Sequence, residues 1–190
     1  MPIEYFQGTP PSHDRMWAHE CASVADYCIG RGIDVGAGQR TLFEDTVRVD
    51  CFPDSQPDYV ADAMHLPFTY GEWDYVFTCH VLEHMANPRA ALQEWLRVVK
   101  VGGVVASIIP DTRYTRGQNT DRTPHYFEWA PEEFITQVLG WGPPLRREPE
   151  HPLGSYWFNR TGPIEWAPAM VESIGVACPG WSFHVVLRRM

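Results

Sequence analysis

Gly32-Ile33-Asp34-Val35-Gly36-Ala37-Gly38 is the stretch on which the fold turns. Ile33 and Val35, bounded by glycine, read as a short buried strand, and Gly36 and Gly38 read as the tight turn that stops it. Glycine in such a turn lets backbone approach a ligand closely. The acid two positions before Gly36 qualifies what that ligand is. A dinucleotide-binding fingerprint wants glycine or alanine at position 41, where Thr41 stands, and the Asp34 carboxylate is poorly matched to a pyrophosphate. A cationic ligand suits it better. A tight turn without any ligand accounts for the same residues, so the pattern alone leaves both readings open.

Working outward, apolar runs alternate in type. Upstream, Ser12 or Asp14 can cap a helix that runs to about Tyr27. Downstream, Val47–Asp50 reads as a second strand, Asp58–Ala61 as a weak third and Trp73–Thr78 as a stronger, aromatic-rich fourth. Asn87-Pro88 opens a helix in which Ala91, Leu92, Trp95, Leu96, Val98 and Val99 recur at helical spacing, with Gly102-Gly103 expected to end it. Val104–Ile109 is the fifth strand, Pro131–Leu139 a further helix and Ser182–Arg188 a last strand. The Pro- and Trp-rich stretch 141–180 shows no clear period and is assigned to an insertion or substrate-side region, leaving a core of about 14–140 and 181–190. Strands alternating with helices predict an α/β fold, a parallel sheet covered on both faces with its ligand at the carboxyl ends of the strands.

Composition narrows the class. A chain of 190 residues, 44% hydrophobic and 21% charged, fits one globular domain able to bury a core unaided. Acidic residues outnumber basic ones 24 to 15, so the net field disfavours nucleic acid and anionic lipid as partners. Five cysteines without a C-x-x-C pair suggest neither a disulfide framework nor a zinc ribbon. No apolar run approaches membrane-spanning length, and a cytoplasmic protein, monomer or homodimer, is expected.

Three acids fall at or just after successive predicted strands. Asp50 ends the second, where a carboxylate can accept from both hydroxyls of a ribose; an ordinary turn aspartate reads the same way. Asp62 follows the third and could accept from an adenine amino group, or cap a short helix. With Asp34 they match a nucleoside whose other end is cationic. S-adenosylmethionine, with its sulfonium and α-ammonium groups, has that form.

The order Asp34-Val35-Gly36-Ala37-Gly38, Asp62-Ala63-Met64-His65-Leu66-Pro67-Phe68, His80-Val81-Leu82-Glu83-His84 and Val101-Gly102-Gly103 resembles the class I S-adenosylmethionine-dependent methyltransferases over about residues 30–112. Arg40 stands where the family usually has its third glycine. The resemblance implies a Rossmann-like, doubly wound, mostly parallel seven-stranded sheet with an antiparallel last strand and helices on both faces. It implies that Asp34 holds the methionine end, that Gly36, Ala37 and Gly38 pass beneath it, and that Asp50 and the adjoining Cys51 meet the ribose. Asp62, Ala63 and Met64 would flank adenine, and Cys79 and His80 would line the methyl-donor side. It implies methyl transfer to a small-molecule acceptor, leaving S-adenosylhomocysteine; a silent cofactor-binding domain of the same fold, or a nucleotide-dependent oxidoreductase, are the alternatives. The opening Pro110-Asp111-x-Arg113-Tyr114-Thr115 resembles bacterial methyltransferases of glycan and natural-product pathways, so a sugar or natural product methylated on oxygen or nitrogen is expected.

His80-x-x-Glu83-His84 also matches an inverted zinc-protease signature, but the segment is short for a helix and shows no third ligand, so no metal is assigned. After the fifth strand a loop of about twenty residues is long for a connector and reads as a lid. His125 within it is the expected general base, with His84 and His80 behind it, because an imidazole titrates nearest neutrality. Packing or orienting roles for all three stay open. Tyr156-Trp157-Phe158 reads as a stacking wall or as core.

Overall fold

The computed structural model describes residues 13–115, 124–141 and 161–190. Ser12 and the aromatic run 156–158 lie outside them. One sheet organises the chain. Its strands are β1 (Gly32–Val35), β2 (Val47–Asp50), β3 (Tyr59–Val60), β4 (Trp73–Cys79), β5 (Val99–Pro110), β6 (Gly162–Pro163), β7 (Ala169–Cys178) and β8 (Ser182–Arg189). They lie in the order β3-β2-β1-β4-β5-β8-β7-β6. The pairs from β3 to β5 are parallel, and β8 turns the sheet antiparallel against both β5 and β7.

Alternation along the strands divides the core. Val76 of β4 joins Ile33, Val105 and Leu187 on one face, where Leu92, Trp95 and Leu96 of α2 (Pro88–Val98) cover them. Tyr75 and Phe77 point to the other face with Val104, Ala106 and Val186, beneath Val24 and Trp17 of α1 (His13–Val24). Successive strand residues face opposite sides, so two covered faces require apolar residues at consecutive positions. The Asn87 side chain accepts from Ala90 N at 3.2 Å and Pro88 opens the first turn of α2, a cap that contributes about 1 kcal/mol.

Three expectations need correction. The sheet has eight strands where seven were expected, the addition being the two-residue edge β6. Gly102-Gly103 does not end α2: the helix stops at Val98 and β5 begins at once. At Gly103 a Cβ would lie 2.6 Å from the Asp74 carbonyl, so glycine there serves the close approach of β4 and β5. No helix joins β1 to β2; turns occupy 37–46, a segment too short to hold a helix and both its connections. Finally, β7 falls in the stretch assigned to the substrate side, yet it sits inside the sheet between β8 and β6. Register shifts at Val171/Ser173 and Val176/Cys178 break its alternation, and Gly175 is required because a Cβ there would lie 2.9 Å from the His184 ring.

The expected helix after the loop is present but changes pitch. It is α-helical over Pro131–Phe134 and π-helical over Ile135–Leu139, ending at Gly140 with φ 76°. The Thr136 hydroxyl donates to the carbonyls of Glu132 and Glu133, a local competitor for the helical ladder.

Candidate functional site

The turn after β1 is built from both sides. Gly36 N and Ala37 N donate to the Val49 carbonyl at 2.8 and 3.2 Å, tying the turn to β2. Gly36 has φ 75°, and a Cβ there would stand 2.4 Å from a methyl carbon of Val81. Only glycine meets both conditions. Gly38, with φ 54°, donates its N–H to Asp50 Oδ2 at 2.8 Å, and its carbonyl accepts from the Arg48 guanidinium. Arg48 also donates to the carbonyls of Ser55 and Gln56 at 2.7 and 3.1 Å, clamping the turn to the loop after β2.

Asp50 is thus engaged before any ligand arrives. Its second oxygen accepts from Phe52 N at 2.8 Å. An ionised carboxylate has about four acceptor sites, so two remain for hydroxyls. Its neighbour Cys51 is exposed.

Asp34 differs. It is 1% exposed, and Oδ2 has no hydrogen-bond partner. Burial pushes its carboxyl well above the usual range, against the opposing Leu42 N–H, Arg48 charge and Thr41 hydroxyl. It lines a cleft of about 350 Å³ with Trp17, Gly36, Ala37, Gln39, Arg40 and Cys79. A buried oxygen without a donor, facing a cleft, is an unfilled valence that a cationic or N–H-bearing ligand would satisfy.

The residues after β3 are at the same end of the sheet, with Ala61 N donating to the Asp50 carbonyl at 3.0 Å. Asp62 is exposed and accepts from Met64 N at 2.8 Å and lies 3.1 Å from His65 Nδ1, which holds its carboxyl below the usual range through those two groups. It caps a turn, and no helix follows it. The Ala63 carbonyl accepts from Trp95 Nε1 at 2.8 Å, which anchors the Asp62-Ala63-Met64 shelf to α2.

The chain leaves β4 by a different device. His80 adopts φ 56°, a left-handed conformation uncommon outside glycine. Its Nε2 lies 2.8 Å from Glu20 Oε1, the same oxygen that accepts from Ser182 Oγ at 2.6 Å, while Cys79 Sγ donates to Oε2 at 3.7 Å. Glu20 comes from α1 and Ser182 from β8, so three distant elements meet on one buried carboxylate. On its other side His80 Nδ1 faces Glu83 Oε1 at 3.6 Å. Burial works against charge on His80, yet Cys79, Glu20 and Glu83 together outweigh it and hold the imidazole well above its ordinary value. An imidazolium has no lone pair to take a proton, which counts against His80 as a base near neutral pH. The Cys79 thiol is pushed up to about 12 by burial and is no nucleophile.

His84 and His125 come together although 41 positions separate them, with ring centroids 4.7 Å apart and edge-to-face. The Glu83 carbonyl accepts from Tyr126 N and Phe127 N at 2.9 and 3.2 Å, which draws the returning loop against the segment after β4. Cofactor-side and acceptor-side candidates therefore meet along the carboxyl ends of β1, β2 and β4. Glu20, Arg48, Trp17 and Ser182 had no signal in the sequence, because each acts through a partner distant in the chain.

An α/β sheet in this order, with a buried acid under a glycine turn after β1 and a second acid ending β2, is the arrangement that the resemblance implied. Residues 21–107 match the model of a family described as the methyltransferase domain. A methyltransferase of Streptomyces halstedii, GfsG, is 30% identical over 76 residues, which span 40% of this chain and about a quarter, 27%, of that protein. An S-adenosylmethionine-dependent methyltransferase from Thermotoga maritima superposes with a TM-score of 0.63 at 15% identity, covering 94% of this chain and 91% of that one. A protein from Pyrococcus horikoshii gives 0.61, also at 15% identity, over 95% and 92%. At these identities the two structures speak for the fold. Residues 21–107 are thus similar in sequence to a methyltransferase domain, and the described sheet shares the fold of these two structures.

Proposed function

We propose that this chain transfers the methyl group of S-adenosylmethionine to an oxygen or nitrogen of a small polar acceptor, a sugar or a natural product, and releases S-adenosylhomocysteine. The observation that carries the reading is Asp34 Oδ2, buried, without a donor, and on the wall of the cleft under the glycine turn. There it meets the α-ammonium end of the cofactor, while Gly36, Ala37 and Gly38 run beneath the methionine moiety. Asp50 offers its two remaining acceptor sites to the ribose beside Cys51, and Asp62, Ala63 and Met64 form the adenine shelf. Cys79 and His80 close the donor side; His84 and His125 face the acceptor.

Methyl transfer is an in-line displacement at a carbon already activated by its sulfonium leaving group, so positioning supplies most of the catalysis. The braced turn is suited to this, since Gly38 is held at both its N–H and its carbonyl before the cofactor binds. An alcohol or amine acceptor must also lose a proton, and the His84–His125 pair is where that need is met. Among the described residues the acceptor side is bordered by loops, which suits a small acceptor.

Calorimetry tests the reading. S-adenosylmethionine and S-adenosylhomocysteine should each bind one site and raise the melting temperature, and a panel of sugars and natural-product alcohols and amines should yield a methylated product. NADH binding where neither adenosyl compound does would overturn it.

A further inference from the structure

We propose that Glu83, His84 and His125 hold one divalent first-row transition-metal cation. The three side chains each bring one ligand atom within 4.8 Å of the other two. Two imidazoles and one carboxylate suit zinc, manganese or iron(II) rather than the all-oxygen preference of calcium and magnesium.

Glu83 is the strongest reason. It is 1% exposed, and neither carboxylate oxygen accepts a hydrogen bond. Oε1 has the His80 imidazole as an ion-pair partner at 3.6 Å, without a hydrogen bond, and Oε2 has no hydrogen-bond donor. A buried carboxylate is normally paired, hydrogen-bonded or on a metal. The neighbouring cluster of Glu20, Cys79 and His80 also brings three donor atoms together, but its carboxylate is already engaged by His80 and Ser182. The Glu83 carboxylate, by contrast, accepts no hydrogen bond at either oxygen.

The histidines are arranged as ligands. His84 Nδ1 lies 3.1 Å from the Pro124 carbonyl, which can only accept. That contact orients the ring, the way metal-ligating histidines are held by an outer carbonyl. His125 follows Pro124 directly, so the contact that orients one ligand also places the other. The signature His80-x-x-Glu83-His84 showed no third ligand in its own stretch of sequence; here Glu83 takes the place of His80, and His125 comes from the loop after β5. Glu83, His125, Thr112, Thr115 and Glu128 line one narrow crevice, which sets the cation on the acceptor side.

Three protein ligands leave coordination positions open. On the methyltransferase reading, which this role requires, an acceptor hydroxyl occupies one of them, and the cation lowers its pKa, so that the two histidines act as ligands and not as bases. The O–H bond gives its proton to water, the oxygen forms the bond to the methyl carbon, and the S–CH3 bond breaks with its electron pair returning to sulfur. The products are the ether, S-adenosylhomocysteine and a solvated proton.

The test is cobalt(II) titration of the full chain after dialysis against EDTA, followed by visible absorption and calorimetry. One equivalent should bind with the d–d bands of a nitrogen–oxygen site, and zinc(II) should displace it. His84→Ala and His125→Ala, both at partly exposed positions, should each weaken cobalt binding by roughly a hundredfold or more, beyond the loss seen when only an outer partner is removed. Glu83→Gln should do the same, and S-adenosylmethionine calorimetry on all three reports whether they remain folded. No cobalt binding by the parent chain, or unchanged binding in both histidine variants, overturns the site. Cobalt bound at the three residues with no adenosyl ligand bound and no acceptor methylated would sink the methyltransferase reading and leave the metal site standing.

Discussion

The chain leaves β1 and β4 through the same left-handed region of backbone, and it pays for the two departures differently. At Gly36 the conformation is free of side-chain conflict, because no Cβ is present to meet Val81. At His80 a full imidazole takes φ 56° and is kept there by Glu20 and Glu83 on either side. Such a conformation in a non-glycine residue costs on the order of 1–3 kcal/mol and persists only where its surroundings over-determine it. The first turn is written in the residue type; the second is written in contacts from α1 and from the segment after β4.

The contrast is sharpest if the contacts are removed. Glu20→Ala leaves the His80 charge and the Ser182 hydroxyl facing an empty buried space, and should destabilise the protein by about 3–4 kcal/mol in urea unfolding. A loss under about 1 kcal/mol would mean that the turn after β4 holds itself without α1.

On the other side, Gly36→Ala should lower stability by about 3 kcal/mol, combining left-handed strain with overpacking against Val81. Gly38→Ala, at φ 54° but with open space where the Cβ would go, should cost only about 1 kcal/mol. Equal losses in thermal melts would show that strain alone, not the Val81 contact, makes Gly36 necessary.

Asp34→Asn gives the smallest change in fold and a sharper one in binding. The folded-state pKa of Asp34 is raised, so its contribution to stability is fully present at low pH and is lost as pH rises through that pKa. Above that pKa the ionised group is a liability without cofactor, and there the asparagine variant should melt higher than the unliganded parent. It should bind S-adenosylmethionine at least about tenfold more weakly, having lost a charge-assisted contact. In the parent, cofactor affinity should fall as pH drops below the Asp34 pKa; a flat profile in calorimetry would remove Asp34 from the ammonium's surroundings.

What could be read beforehand follows the same line. Strands β1, β2 and β4 were legible because Ile33, Val35, Val49, Val76 and Phe77 announce burial by type, and Asn87-Pro88 announced α2 by its cap. The acids at the strand ends were legible as positions, and so was the chemistry they suit. Illegible were the partners: Asp50 as a brace for Gly38, Glu20 as the acceptor for His80, His125 as the neighbour of His84. Each is a tertiary meeting across 12, 60 and 41 positions, with no local periodicity to report it. Strand β7 was lost for a further reason, since two register shifts erase the alternation by which a strand is recognised.

The sheet's borders have a consequence for life at high concentration. Among the described residues it begins and ends in dipeptides, Tyr59–Val60 at one margin and Gly162–Pro163 at the other. A bare margin is a template on which a neighbour's backbone can zip, and its danger grows with its length. Two residues offer few open donors and acceptors, Pro163 has no N–H to lend, and beyond Val171 the outer edge of β7 is made irregular by its two register shifts. With a formal net charge of −9 adding mutual repulsion, the molecule is guarded against stacking into ribbons on both flanks.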